Sequence, residues 1–347
     1  MNLKSLYYQV KEAISSLDFE RIWPGFKPLK FALYDEGSCF FDGRYIQKTE
    51  EFCANTSIPY RGEQIAIWMV AEKLEIPVLA SKLVHEMFHG YQTLNGWDCW
   101  PNEMEALFRY RYLPENLSLK LRENELLLRL LDRFDKGDYE ALLSSRKTRS
   151  EQYPYEFLYE SRVEEIEGSA NYVEWQVLKQ LAPEKALGLT DQMRSVMTKP
   201  AYLFPIRISS YYTGALMIQA RLQAGDYIFA PAERPGIMGL LQAAGSSDSG
   251  LAPVEESLKA VSKAVQAYNQ NTREIIQSAL DLNEVVLQGP LELVALNIYD
   301  ARHLDGFLTS TYFLMVKEGD ENRMLQGNFV IRMRNENTID TVYRWKG

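Results

Sequence analysis

One segment, residues 83–90 (Leu-Val-His-Glu-Met-Phe-His-Gly), most restricts how this chain can fold. Residues four apart lie on one face of a helix, so His85 and His89 can present both imidazoles to a single metal ion. Glu86 lies next along that helix and can reach a water molecule at the ion. The H-E-x-x-H arrangement therefore predicts a helix that carries a zinc site with two nitrogen ligands and a carboxylate base.

The rarity of histidine strengthens this interpretation. The chain has three histidines in 347 residues, and two of them lie in the motif. A helix with two incidental histidines, one buried and one solvated, would have the same local sequence. The concentration of histidine at the motif favours a metal site over that alternative.

The composition limits which binding partners and which cellular compartment we expect for this chain. The net charge of −9 argues against nucleic acid as a partner. The three cysteines are odd in number and form no CxxC pair, so a disulfide framework is not expected. The first residues lack the apolar core of a signal peptide, and no apolar run approaches the ~18 residues of a membrane span. We therefore expect a cytoplasmic protein without membrane association; its oligomeric state is not readable from the sequence.

The hydrophobic patterns predict a mainly helical α+β protein. β signals at 29–47, with a turn at Asp42-Gly43, and at 64–70 predict a small N-terminal sheet over about 29–70. From residue 291 the apolar residues alternate, which predicts a β-rich C-terminal segment, 291–347, after a domain at 1–290. Within that domain, a helical part at 77–290 follows the small sheet. The predicted helices are 1–20, 77–94, 102–113, 115–135, 155–181, 183–197, 208–225 and one that starts near 254, with a loop at 245–250.

The predicted helix at 155–181 carries a row of acidic residues. Glu160, Glu164, Glu167 and Glu174 are spaced four, three and seven residues apart, which predicts one shared helix face. A solvated acidic face would have the same spacing. However, Glu167 is followed by Gly-Ser-Ala, and such small residues favour the close approach of a second helix.

Three motifs in order resemble those of the gluzincin metallopeptidases, in their aminopeptidase-like branch. They are the H-E-x-x-H motif, Glu167-Gly168, and residues 211–214 (Tyr-Tyr-Thr-Gly) as Y-x-x-G. The resemblance implies a zincin-like fold that binds one zinc ion through His85, His89 and Glu167. It also implies hydrolysis of peptide or protein substrates, with Glu86 as general base and Tyr211 as the donor to the oxyanion. Peptidases of this class commonly place an edge strand over the motif helix.

Several roles stay open at this stage. Glu164, one turn before Glu167, is a rival third ligand. Tyr212, Arg207 and His303 are rivals of Tyr211. The partners that would orient the two imidazoles are not fixed by the sequence, and the candidates are Glu105, Glu164 and Asn171.

The chain departs from the branch in two ways. Glu167 lies 78 positions after His89, which requires inserted helices between the ligands. No G-x-M-E-N-like stretch precedes the motif, and that stretch holds the free amino terminus of an aminopeptidase substrate. Glu63 and Glu72 are the nearby acids, and neither lies in such a motif. We therefore expect an endopeptidase or oligopeptidase.

Two other functions fit parts of the sequence. A peptidase fold reused as a non-catalytic zinc-binding protein would keep the ligands but would not need Glu86 or Tyr211. A di-iron carboxylate protein could use Glu86 and His89 as one E-x-x-H, but it needs a second on another helix. Residues 300–303 (Asp-Ala-Arg-His) come nearest, where the pattern changes to β.

Overall fold

The computed structural model describes residues 2–226 and 255–346, so the loop predicted at 245–250 lies outside the described residues. The described chain combines helices with two sheets, which confirms the α+β class. Among these residues, no helix is both long and apolar enough to cross a bilayer.

The helices agree with most of the predicted ranges. A π-helical turn, Glu164–Gly168, joins α7 to α8 without a break, and a 3₁₀ turn, Pro200–Leu203, precedes α10. In chain order the helices are α1 (Leu3–Ser15), α2 (Phe19–Ile22), α3 (Ile76–Leu94), α4 (Glu103–Arg109), α5 (Pro114–Asp132), α6 (Lys136–Gln152), α7 (Pro154–Val163), α8 (Ser169–Leu181), α9 (Pro183–Val196), α10 (Ile206–Ala224) and α11 (Glu255–Leu282).

Helix α6 was not predicted, and its composition explains why. Its inward face is polar, because Arg146 and Arg149 are fully buried there alongside Ser145. A helix whose buried face is charged gives almost no apolar periodicity, so the pattern that reveals the other helices is missing.

The N-terminal sheet occupies the region predicted at 29–70. Its strand order is β3-β2-β1-β5-β4, with β1 parallel to β5 and β4 antiparallel at one edge. The predicted turn at Asp42-Gly43 is confirmed, since both residues have positive φ in a two-residue hairpin. The strands are β1 (Lys30–Tyr34), β2 (Cys39–Phe41), β3 (Arg44–Ile46), β4 (Thr56–Tyr60) and β5 (Glu63–Met69).

Helix α3 follows β5 and packs closely on this sheet. A Cβ added to Gly90 would lie 2.6 Å from the Ser57 hydroxyl of β4 and 2.4 Å from Leu29 Cδ1, so a larger residue here would displace these side chains. Leu83, Val84 and other apolar residues of α3 belong to the main core, which also includes residues of this sheet and of α8. The motif helix is therefore fixed between the sheet and α8.

The C-terminal sheet starts at Val285, slightly before the predicted 291. Its order is β10-β9-β6-β12-β11-β8-β7. One face packs on α4, while the other covers Ile276 and Ala279 of α11. Because both faces are covered, neighbouring residues such as Phe329 and Val330 are both buried. The strands are β6 (Val285–Leu296), β7 (Arg302–Leu304), β8 (Phe307–Ser310), β9 (Phe313–Glu318), β10 (Glu321–Gln326), β11 (Phe329–Asn335) and β12 (Thr338–Arg344). The domain boundary at 290 stays a prediction.

The π-helical turn and α10 cross with their backbones in contact. A Cβ added to Gly168 would lie 2.5 Å from the Gly214 Cα, and one added to Gly214 would lie 2.5 Å from the Glu164 carbonyl oxygen. The close approach expected from the small residues after Glu167 is therefore made to α10.

Replacement of Gly168 by alanine should lower the free energy of unfolding by about 1–3 kcal/mol, because the added methyl group forces two backbones apart. Urea denaturation followed by circular dichroism measures this change. Gly188 is the matched control, since it lies in α9 with no atom within 4 Å of an added Cβ. Gly188→Ala should instead stabilise by about 0.5–1 kcal/mol. Equal effects of the two substitutions would contradict the role of the crossing.

Candidate metal centre

The structure brings the three predicted ligands together at the contact of α3 with the π-helical turn. His85 Nε2 lies 3.1 Å from His89 Nε2. Glu167 Oε2 lies 3.4 Å from His89 Nε2 and 3.7 Å from His85 Nε2. All three side chains are largely buried.

These distances fit a tetrahedral ion. Zinc–nitrogen and zinc–oxygen bonds of roughly 2.0–2.2 Å at the tetrahedral angle separate neighbouring ligand atoms by about 3.3–3.5 Å. The three observed separations lie on both sides of that value. Small side-chain adjustments would therefore suffice for the trio to hold one zinc ion.

The π-helical turn decides which glutamate faces α3. Each residue of an α-helix turns by about 100° around the helix axis. The extra residue in the wider π-helical turn therefore changes the direction in which every later side chain points. Glu167 and Glu174 face the histidines, whereas Glu160 and Glu164 contact Lys120 on α5. The prediction of one shared face for the four glutamates is therefore wrong.

The orientation of His89 is set by Gln92, one turn later. The Gln92 amide nitrogen donates to the Ile166 carbonyl oxygen at 2.8 Å and to the Ser169 hydroxyl at 2.9 Å. Its oxygen must then face His89 Nδ1, 2.8 Å away. Because an amide oxygen only accepts, Nδ1 carries the proton and the lone pair of Nε2 points to the centre.

Glu174 has the same role for His85. Its Oε2 atom lies 3.2 Å from His85 Nδ1, an ion-pair distance without a well-aligned hydrogen bond. Lys82 Nζ lies 3.5 Å from the other Glu174 oxygen. A carboxylate at Nδ1 again leaves the lone pair of Nε2 available to a metal ion, as in many zinc sites.

The cluster attracts positive charge. Burial alone would lower the pKa of His85, but the neighbouring carboxylates of Glu167 and Glu174 outweigh burial and raise that pKa to about 10. For Glu167, burial would raise the pKa, yet His89, His85 and Arg207 hold it well below the usual range. The ligand carboxylate is therefore ionised, and the site stabilises a cation.

Arg207 of α10 binds the second oxygen of the ligand carboxylate. Its Nη2 atom lies 2.7 Å from Glu167 Oε1, and its Nη1 atom pairs with Glu103. Tyr159 donates to the other oxygen of Glu103 at 2.7 Å. Arg207 thus restricts Glu167 to one free oxygen, Oε2, which faces both histidines.

Glu86 and Tyr211 line an open cleft of about 500 Å³ beside the cluster. Burial raises the pKa of Glu86, and the nearby His85 and His89 oppose that shift. The Tyr211 hydroxyl is buried and makes no well-aligned hydrogen bond with the described residues, although Tyr299 lies beside it. The cleft is also lined by Trp68, Lys82, Asn171, Glu174, Leu189, Gln192, Met193, Val196, Tyr202, Ile208 and Tyr212.

The rival candidates have other partners. Glu164 is held by Lys120 and Arg146 inside the protein, so it faces away from the histidines. The ring of His303 packs against Phe108, and it does not line the cleft. The Tyr212 ring stacks on Tyr202 in the cleft wall.

The predicted partners of the imidazoles were incorrect. Glu105 pairs with Arg109, Glu164 faces the other way, and Asn171 only lines the cleft. The spacing of the observed partners, Gln92 and Glu174, in the sequence could have identified them. Gln92 lies three residues after His89, and Glu174 lies seven after Glu167, so each shares a helix face with a ligand.

Comparisons of this chain with protein-family models, with curated proteins and with solved structures found no match. The gluzincin resemblance therefore depends on the three sequence motifs alone. Among the described residues, these three side chains form the one group of histidine, cysteine and carboxylate ligands that could hold an ion.

The choice between Glu167 and Glu164 can be tested with a matched pair of variants. Glu167→Gln should weaken zinc binding by more than about 100-fold, beyond the 10–100-fold typical of residues that only orient a ligand. Glu164→Gln should bind zinc as the wild type does but lose about 3–5 kcal/mol of stability, because Lys120 and Arg146 lose their buried counter-charge. Competition with a chromophoric chelator and urea denaturation measure the two effects. Reversed behaviour of the variants would reject the assignment.

Proposed function

We propose that this protein is a zinc-dependent hydrolase that cleaves peptide bonds. The observation that carries the proposal is the arrangement of the two imidazoles. Their Nδ1 atoms face Gln92 and Glu174, and their Nε2 atoms meet Glu167 Oε2 at spacings suited to a tetrahedral ion. Such a trio leaves a fourth position for water or substrate, which distinguishes catalytic from structural zinc sites.

The cleft supplies groups for each step of hydrolysis. A zinc ion held by the trio would polarise the scissile carbonyl and lower the pKa of the attacking water. Glu86 lines the cleft beside His85, where its carboxylate accepts the proton of that water and delivers it to the leaving amine. Tyr211 lines the same cleft and donates its hydroxyl to the oxyanion of the tetrahedral intermediate.

The edge of the N-terminal sheet offers a place for an extended substrate. Strand β4 has β5 as its hydrogen-bonded neighbour in the sheet and contacts α3 near Gly90. An antiparallel edge strand over the motif helix is the arrangement expected from the gluzincin resemblance. A peptide can add to such an edge through main-chain hydrogen bonds, so the proposed substrate is a peptide or unfolded protein segment.

The alternatives account for less of the site. A non-catalytic zinc protein has no need of Glu86 and Tyr211 in one open cleft. A di-iron protein needs a second E-x-x-H, and His303 lies on β7 against Phe108 instead. We therefore favour a mononuclear zinc enzyme.

Glu86→Gln should retain one zinc ion per chain but lose about 10²–10⁴-fold in kcat, because the amide cannot accept the proton of the attacking water. Initial rates on an internally quenched peptide library, with zinc content measured on the same samples, test this. Glu184→Gln, an exposed glutamate on α9, is the control and should be fully active. Turnover of Glu86→Gln at the wild-type rate would remove Glu86 from the mechanism.

Tyr211→Phe should lower kcat by about 10²–10³-fold with little change in KM, because the lost hydrogen bond forms in the transition state. Tyr212→Phe is the adjacent control, and its stacking on Tyr202 does not require the hydroxyl. A loss of activity confined to Tyr212→Phe would exchange the two assignments.

The proposed cleavage is internal, since the strand region before α3 lacks a motif that binds a free amino terminus. Glu63 pairs with Lys30 and is thus already engaged. The zinc-loaded protein should cleave internally quenched peptides with blocked termini and leave amino-acid anilides intact. Rapid hydrolysis of anilides alone would show an aminopeptidase instead.

A further inference from the structure

The C-terminal sheet contributes one side chain to the candidate active site. The turn between β6 and β7 carries Tyr299, which lines the same cleft as Glu86 and Tyr211. The guanidinium carbon of Arg207 lies 5.8 Å from the centre of the Tyr299 ring. The C-terminal segment, for which the sequence predicts no function, therefore reaches the cleft.

The turn that presents Tyr299 is held by its own hydrogen bonds. The Asn297 side chain accepts from the Tyr299 backbone N–H at 3.3 Å and donates to Asp300 at 3.2 Å and to Thr311 at 3.0 Å. Thr311 donates to the second Asp300 oxygen at 2.6 Å. Since β8 and β9 flank Thr311, the turn is fixed to the sheet and Tyr299 has a defined position.

Tyr299 is nevertheless 54% exposed. A large aromatic ring on a fixed turn can bind an apolar group at little cost in conformational entropy. Apart from the site residues, the Lys82–Glu174 pair, Asn171 and Gln192, the other side chains that line the cleft are aromatic or apolar: Trp68, Leu189, Met193, Val196, Tyr202, Ile208 and Tyr212. These features suit an apolar side chain of a substrate better than a charged one.

We propose that Tyr299 is a substrate-binding residue that packs against an apolar or aromatic side chain next to the scissile bond. This inference rests on the proposed zinc-dependent hydrolysis and adds the substrate class. Tyr299 lies beside Tyr211, so a side chain packed on its ring is close to the group that stabilises the oxyanion. Its ring, rather than its hydroxyl, makes the contact.

Two hydroxamates separate binding at the metal from binding at Tyr299. Acetohydroxamate reaches the zinc ion alone, whereas 3-phenylpropanohydroxamate adds a benzyl group for the cleft. Calorimetric titration of the zinc-loaded full chain should show tighter binding of the benzyl probe. Tyr299→Ala should weaken that probe by about 3- to 10-fold, the range of one aromatic contact, and leave acetohydroxamate unchanged.

Two further variants make the result specific. Tyr299→Phe should bind both probes as the wild type does, because the ring is retained. Tyr312→Ala is the matched control, since Tyr312 is 76% exposed on the same sheet and does not line the cleft. It should also leave both affinities unchanged.

Three results would overturn the inference. Wild-type affinity of Tyr299→Ala for the benzyl probe would reject the contact while leaving the zinc site intact. An equal loss for both probes would show that Tyr299 acts on the metal site and not on a substrate side chain. If the wild type binds neither probe in the presence of zinc, the proposed hydrolase function fails, and the role of Tyr299 fails with it.

Discussion

The structure depends on how the helix from Pro154 to Leu181 neutralises the carboxylates that it carries into the interior. A buried carboxylate without a partner is very costly, so each one needs a cation or hydrogen bonds. The first half of the helix meets this need within the protein. Glu160 and Glu164 join a fully buried cluster of three acidic and three basic side chains from α5, α6, α7 and the π-helical turn: Lys120, Glu123, Arg146, Arg149, Glu160 and Glu164. With its charges balanced, this cluster holds α5, α6 and α7 in place.

The second half of the helix is not balanced in this way. The charged side chains that interact around the histidines, within the described part of the chain, are four glutamates and two cations: Glu86, Glu103, Glu167, Glu174, Lys82 and Arg207. With neutral imidazoles this leaves an excess of two negative charges, which a divalent ion would neutralise. The same excess of negative charge raises the pKa of His85, so this imidazole binds a proton more tightly than usual. The two halves of this helix thus contribute carboxylates first to a rigid support and then to the excess negative charge that a divalent ion would neutralise.

The sequence predicted features that depend on local spacing and missed those that depend on partners. The motif helix, the turn at Asp42-Gly43 and the grouping of His85, His89 and Glu167 all followed from short patterns. Helix α6 was missed because its buried face is charged, and the single face of the four glutamates was wrong because a π-helical turn leaves no periodic signal. The partners of the imidazoles, Gln92 and Glu174, become clear only when two helices are placed together. The role of Tyr299 also required the C-terminal sheet to be placed at the cleft.

The contact of Gly168 with Gly214 explains why two short motifs occur together in one site. Gly168 follows Glu167, the proposed third ligand, and Gly214 lies three residues after Tyr211, so the absence of side chains brings the π-helical turn and α10 into backbone contact. Residues 207, 211 and 214 are spaced four and three apart, which places Arg207 and Tyr211 on the face of α10 that meets this turn. Arg207 then reaches Glu167, and Tyr211 lies over the same region. The two glycines therefore fix the distance between the ligand carboxylate and the proposed oxyanion donor, a distance that larger residues at either position would increase.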